Sequence, residues 1–136
     1  MKDIEENDTL ELDFNKLEKA GRCGGILPVA VQDADTQDVI LLAYTNEKAF
    51  AATRARRSLV LWSTSRNELW EKGKTSGETF DVVEIRVNCE QNSLLYRVRP
   101  RRGGICHTKN QAGRPRRNCF FRFLNMETGR LENLDP

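Results

Sequence analysis

Four residues in this chain stand out for their chemistry. The stretch "GGICHTKNQAGRPRRNCFF", residues 103–121, holds Cys106, Cys119 and His107, the only histidine. Cys89 lies 17 residues before Cys106, and Cys119 lies 13 after it. Thiolates and neutral imidazoles are the usual ligands of zinc, which favours a tetrahedron and, in catalytic sites, keeps one position open. Three cysteines converging from neighbouring strands would give such a three-thiolate site. The spacing leaves a second reading open, that these are buried free thiols, because no C-x-x-C pair is present. His107 directly follows Cys106. Adjacent residues of an extended segment point opposite ways, which favours His107 as an acid–base group over a fourth ligand. Cys23, in "GRCGG", has no partner motif and reads as non-functional.

A second chemical block is "LWSTSRNELWEKGKTSG", residues 61–77. Hydroxyls, one arginine, two lysines and glycine backbone N–H groups suit a phosphate site. It is not a P-loop, since Glu68 stands five residues before Gly73 where that motif needs glycine. Its other reading is a polar hairpin whose tryptophans fill the core. From Gln91 to Met126 there is no Asp or Glu, whereas nine Arg and Lys residues fall there. Such a field attracts anions, either a phosphorylated small molecule or nucleic acid; otherwise it is a solvated face balanced by the acidic N-terminus.

The elements that must position these groups are mostly strands. Residues 26–33 and 39–44 read as a hairpin around the turn sequence "DADTQD". Asn46 reads as the N-cap of a helix over 47–57. Segments 58–65 and 68–74 are strand-like around a polar turn. Residues 81–89 alternate, with Val83, Ile85 and Val87 on one face, and 93–100 returns beside them. Residues 14–20 could form one or two helical turns ended by Gly21. A long basic loop over 101–118 leads to a last strand at 119–125. The expected fold is α+β and β-rich, a single domain of antiparallel strands with one main helix. Residues 1–12 read as a mobile or loosely docked arm, 13–125 as the domain and 126–136 as a frayed tail.

Composition agrees with one small globular domain. The chain has 136 residues, net charge +2, 38% hydrophobic and 31% charged residues. A chain this small buries only about two-thirds of its unfolded surface, so a dimer is the default expectation. No stretch approaches the ~20 apolar residues of a membrane helix, and no signal-peptide core is evident, so the expected location is cytoplasmic with reduced cysteines.

Together, "GGILPVAVQDADTQDVILLAYTNEKAF", "LWSTSRNELWEKGKTSG", "VVEIRVNCEQNSLLYRV", "CHT" and "NCFFR" resemble the phosphoribosyl-AMP cyclohydrolases of histidine biosynthesis, in order over about residues 13–123. The resemblance implies an intertwined homodimer with zinc thiolates from both subunits. By position, zinc falls to Cys89, Cys106 and Cys119, and the catalytic histidine to His107. Substrate contacts fall to Trp62, Ser63, Ser65, Arg66, Lys72, Thr75 and Ser76. The implied reaction opens the purine of N1-(5-phosphoribosyl)-AMP: zinc-activated water attacks C6, the N1–C6 bond breaks, and His107 moves protons. Two phosphates per substrate explain a basic loop without nucleic acid.

Three departures from that family accompany the match. Its Asp-Cys-Asp-x-Asp, assigned to magnesium, reads Asn88-Cys89-Glu90-Gln91-Asn92 here. Magnesium favours hard anionic oxygens, so this second site is expected to be weak, substrate-assembled or absent. The run between Cys106 and Cys119 is longer than usual, and its Arg114, Arg116 and Arg117 add charge that would neutralise phosphate. Thr64 stands where an arginine is common. The alternatives are a paralogue acting on another purine nucleotide, or a non-catalytic zinc protein that binds nucleic acid or a phosphorylated partner. A separate protein would supply the pyrophosphohydrolase step that is often fused to this domain.

Overall fold

The computed structural model describes residues 2–74 and 77–136. The turn chemistry of "DADTQD" does what it predicts. Asp33 Oδ1 accepts the N–H groups of Asp35 (2.8 Å) and Thr36 (3.2 Å), and Gln37 takes a positive φ of 70°. This reverses the chain between β1 (Leu27–Asp33) and β2 (Val39–Thr45), which pair antiparallel. Asn46 then caps α3 (Glu47–Arg56) by accepting the Ala49 N–H at 2.9 Å, and Arg57 ends the helix in the left-handed region. A second hairpin joins β3 (Val60–Ser63) to β4 (Glu68–Glu71), shorter than the two segments expected. A third joins β5 (Phe80–Val87) to β6 (Leu94–Pro100).

The main sheet runs β2-β1-β6-β5, and here the all-antiparallel expectation needs correction. β1 and β6 lie parallel, in register from Val29–Leu94 to Asp33–Val98. A parallel pair needs a long crossover, and everything from β2 to β5 supplies it. The sheet is therefore mixed. Its buried face carries Val29, Val31, Leu41, Tyr96 and Val98, at period two along each strand. Leu59 and Leu61 from the β3 region, Phe80 and Ile105 close that core.

The alternation expected over 81–89 is interrupted. The register shifts between Val82 and Glu84, so Val83 is an extra residue in a bulge. Val82 and Ile85 pack on the core, whereas Val83 and Val87 are exposed.

α3 is the main helix; the turns expected over 14–20 form α2 (Lys16–Gly21), and a short α1 (Lys2–Glu6) adds structure to the arm expected to be loose. The chain ends also carry more structure than their composition suggests. The stretch from Met126, expected to fray, returns as β8 (Leu131–Asn133) against β7 (Arg122–Leu124), which is shorter than the 119–125 strand expected. The acidic first segment meets this hairpin. Leu131 donates to the Asp8 carbonyl at 2.8 Å, and Arg122 donates to the carbonyls of Ile4 and Asn7. Ion pairs of Asp8 with Arg130 and of Glu6 with Arg116 add opposite charge to these contacts, which composition shows only as asymmetry.

A buried hydroxyl ties α3 to β3. Thr53 is fully buried; its Oγ1 donates to the Val60 carbonyl at 2.7 Å and accepts the Val60 N–H at 3.1 Å. Thr53→Val keeps the shape and strands both groups, a cost of about 1–3 kcal/mol. Urea unfolding should show that loss, and Thr53→Ser, which retains the hydroxyl, should show much less.

Candidate active site

The long basic loop is an ordered excursion. Cys106 donates its N–H to the Arg116 carbonyl (3.0 Å), and Arg116 donates to the Thr108 carbonyl (3.1 Å). Lys109 bridges Pro115, and Asn110 turns the tip by accepting the N–H groups of Ala112 and Arg114. Gly104 is needed where the two limbs touch, because a Cβ there would lie 2.4 Å from Pro115. Ile105 is in the core and Cys119 donates its N–H to the Ile40 carbonyl at 2.8 Å, so both ends of the loop are tied to the sheet.

This folding brings Cys106 and Cys119 close enough for each thiol to shift the other's ionisation. Cys106 is 4% exposed, and its sulfur also lies 3.0 Å from the Thr108 hydroxyl. The Cys119 thiol and the Thr108 groups stabilise a Cys106 thiolate and hold its pKa down at about 5, against the opposing effect of burial. Cys119, which is exposed, is pushed up by the neighbouring Cys106 and keeps its proton. Such a pair, one thiolate already formed beside a second thiol, suits a soft cation.

Lys72 faces the same space. It follows β4, is buried, and lies with its ammonium 5.8 Å from the centre of the Trp70 ring. Burial lowers its pKa, while the charges of Cys106 and Glu78 oppose that shift. Gly73 makes the tight turn that follows. Its φ is +85°, and a Cβ would fall 2.3 Å from the Glu78 backbone. A cleft of about 440 Å³ joins Arg66, Trp70, Lys72 and Lys74 to Cys106 and His107. His107 is 74% exposed, and its Nε2 meets the Glu5 carboxylate from α1.

Other expected site residues fall elsewhere. Trp62, Ser63 and Ser65 line a separate depression of about 190 Å³ on the β3–β4 hairpin, with Trp70 shared between it and the cleft. Lys16 of α2 also lines it and donates to Thr64 Oγ1 at 2.8 Å, bringing a cation to the position where an arginine was missing. Thr75 and Ser76 lie outside the described residues. Cys23 donates its thiol to the Thr64 carbonyl at 3.4 Å.

Cys89 does not join the other two cysteines within one chain. It follows β5, one outer strand of the sheet, whereas Cys119 is bonded to β2, the other. Three strand spacings of about 4.8 Å put roughly 14 Å between those edges. Among the described residues, no group of three or more His, Cys, Asp or Glu is close enough to hold a metal ion. Cys106 and Cys119 are two donors of the kind that zinc takes, and the described residues place no third beside them.

The donor set around Cys89 does not fit magnesium. Asn88 Oδ1 accepts the N–H groups of Asn92 and Ser93, both at 2.9 Å, and Asn88 Nδ2 donates to Asn92 Oδ1 at 2.6 Å. Both amide oxygens are committed to closing the turn, and only the exposed Glu90 carries charge there.

Arg116 is also corrected. It is 2% exposed, pairs with Glu6, and bonds the Thr108 hydroxyl and the Asp135 carbonyl. Its guanidinium lies 4.1 Å from the centre of the Phe121 ring. It braces the loop and is not presented to a ligand. Glu5, Trp70 and Lys109 went unassigned by sequence, and Lys74 was read only as one of two lysines suited to phosphate. Lys74 and Trp70 belong to the 61–77 block and were findable there, whereas no local signal ties Glu5 to a histidine 102 residues away.

In metal-stripped protein the thiolate absorbance should rise with a first midpoint near pH 5. Cys119→Ser should move that midpoint. The sign follows from linkage: Cys106, depressed from 9.0, adds stability that is complete above about pH 9 and lost as pH falls through about 5. Cys119, raised, acts oppositely; its contribution is present below pH 9.0 and lost at higher pH. Metal-free stability should therefore climb between pH 5 and 9 in chemical-denaturation curves.

Comparison with known proteins agrees with this site. A family model described as phosphoribosyl-AMP cyclohydrolase matches residues 41–121. A Halobacterium salinarum protein of that name is 41% identical over 127 residues, 93% of each chain. Its namesake from Sphingopyxis alaskensis is 40% identical, covering 92% of this chain and 90% of its own. One from Cenarchaeum symbiosum is 43% identical, covering 84% and 94%. The chain belongs to the phosphoribosyl-AMP cyclohydrolase family.

Proposed function

We propose that this chain is a zinc-dependent hydrolase of histidine biosynthesis that opens the purine of phosphoribosyl-AMP at the N1–C6 bond. The observation that carries the reading is the cleft itself, where the Cys106 thiolate, with Cys119 behind it, and an exposed imidazole face arginine and lysine. Cys106 and Cys119 would hold zinc. When bound, zinc supplies a Lewis acid that brings the pKa of water towards ~7. His107 takes a proton from the attacking water and returns one to the departing N1, with Glu5 available to orient the ring. Arg66 and Lys72 hold phosphate, and Lys72, already desolvated, loses little hydration when it pairs. No step needs magnesium at Asn88, Glu90 and Asn92.

The separation of Cys89 from the pair favours a homodimer in which one chain's Cys89 completes the other's site. Exposed Leu42, Val83 and Val87 on the sheet are apolar surface suited to that contact. No described helix is long and apolar enough to cross a membrane.

Turnover of phosphoribosyl-AMP by purified protein, followed by ultraviolet absorbance with zinc measured on the same sample, tests the reading. Zinc-dependent turnover that survives magnesium chelation is expected; a zinc-loaded folded protein without turnover would sink it. His107→Ala should lose turnover by about 10²–10⁴-fold and keep its zinc. Cys89→Ser and Cys119→Ser should each be inactive. Mixed and re-associated, they should regain about a quarter of the activity, since half the dimers would carry one intact site. No recovery from re-associated subunits would exclude a shared site.

A further inference from the structure

Beside the catalytic cleft lies a second cavity of about 390 Å³, into which Arg102, Arg114 and Arg117 face together with Asn110. Glu78 and Pro115 line both spaces, so the two are contiguous. The three arginines are distinguished by converging on one cavity without a carboxylate ion pair. Nine other arginines among the described residues form carboxylate ion pairs. Arg102, Arg114 and Arg117 form none among the described residues, although Glu78 and Asp135 also line the cavity. Asp135 is instead engaged by Asn110, whose amide donates to it at 3.0 Å.

The frame around these side chains is stiff. Buried Arg116 fixes the backbone between Arg114 and Arg117 through Glu6, Thr108 and Asp135. Gly104 and Pro115 press the loop against the segment that carries Arg102, leaving no room for a Cβ. Three planar forks held around a polar cavity match a phosphate dianion, which takes several parallel N–H···O bonds at once. Ordering cost is low when the backbone is already fixed.

We propose that this cavity is a second phosphate subsite, built by the lengthened loop, that takes one of the substrate's two terminal phosphates while Arg66 and Lys72 in the cleft take the other. The chemical class is a phosphomonoester; its assignment to the substrate rests on the reaction proposed above. Arg114 and Arg117 thereby do what was expected of the loop's arginines, and Arg102, which sequence did not single out, joins them.

The test uses the zinc-loaded full chain and the variant R102Q/R114Q/R117Q, with R54Q/R57Q as a control for charge. Arg54 and Arg57 also lack ion pairs among the described residues but line a different surface depression. The triple variant should raise KM for phosphoribosyl-AMP at least about tenfold and leave kcat within about twofold, the mark of lost ground-state binding. The control should change KM by less than about twofold; an equal rise would mean a general field and overturn the subsite. An unchanged KM in the folded triple variant would also overturn it. Inorganic phosphate binding, measured by calorimetry, separates this proposal from the reaction. If the wild type binds phosphate, the triple variant does not, and neither turns over phosphoribosyl-AMP, the subsite stands and the substrate assignment falls.

Discussion

The structure depends on one closure, the meeting of Cys106 and Cys119 at the two ends of a basic loop. Closing a loop has an entropic cost, and this one gathers positive charge as it closes. The chain offsets both costs locally. A short backbone ladder runs between its limbs, glycine stands where they touch, and Arg116 is buried against Glu6 instead of repelling its neighbours. Glu6 in turn is held below its ordinary pKa by that arginine, so the contact persists over the neutral range. The first helix, which composition presents as a loose acidic arm, therefore supplies the counter-charge that lets a basic loop fold.

The same closure sets the electrostatics of the cleft. Two neighbouring thiols cannot both ionise cheaply, so Cys106 becomes a thiolate and Cys119 keeps its proton. Lys72 responds to the same space: burial disfavours its charge and the thiolate restores it. The arrangement is poised for a cation at the sulfurs and an anion beside the lysine. Neither group would be poised in isolation; each owes its state to the other's position.

Arginine pairing sorts the surface into two classes. Arginines along the main sheet, such as Arg97 with Glu84 and Arg101 with Asp81, meet carboxylates on neighbouring strands. Those around the loop cavity do not. A basic stretch in sequence cannot reveal this division, because it depends on which acidic residues fold back to meet which cations. Arg114, Arg116 and Arg117 lie within four positions of one another, yet the middle one is structural and its neighbours are not.

Sequence by itself determined the elements that rest on local rules: the β1–β2 turn around Asp33, the Asn46 cap of α3, the three hairpins and the β-rich class. It also determined the chemistry on offer, since the cysteines, His107 and the 61–77 block are recognisable by type and order. Tertiary structure alone decided the parallel pairing of β1 with β6, a contact across more than sixty residues with no local signature. The Val83 bulge likewise depends on a partner strand. It alone decided that Cys106 and Cys119 are neighbours while Cys89 stands at the far edge of the sheet, and that Asn88 and Asn92 serve a turn. The physical reason is common to all of these. Turns and caps are satisfied within a few residues, whereas strand order, ion pairing and thiol proximity are set by which distant surfaces the buried core brings together.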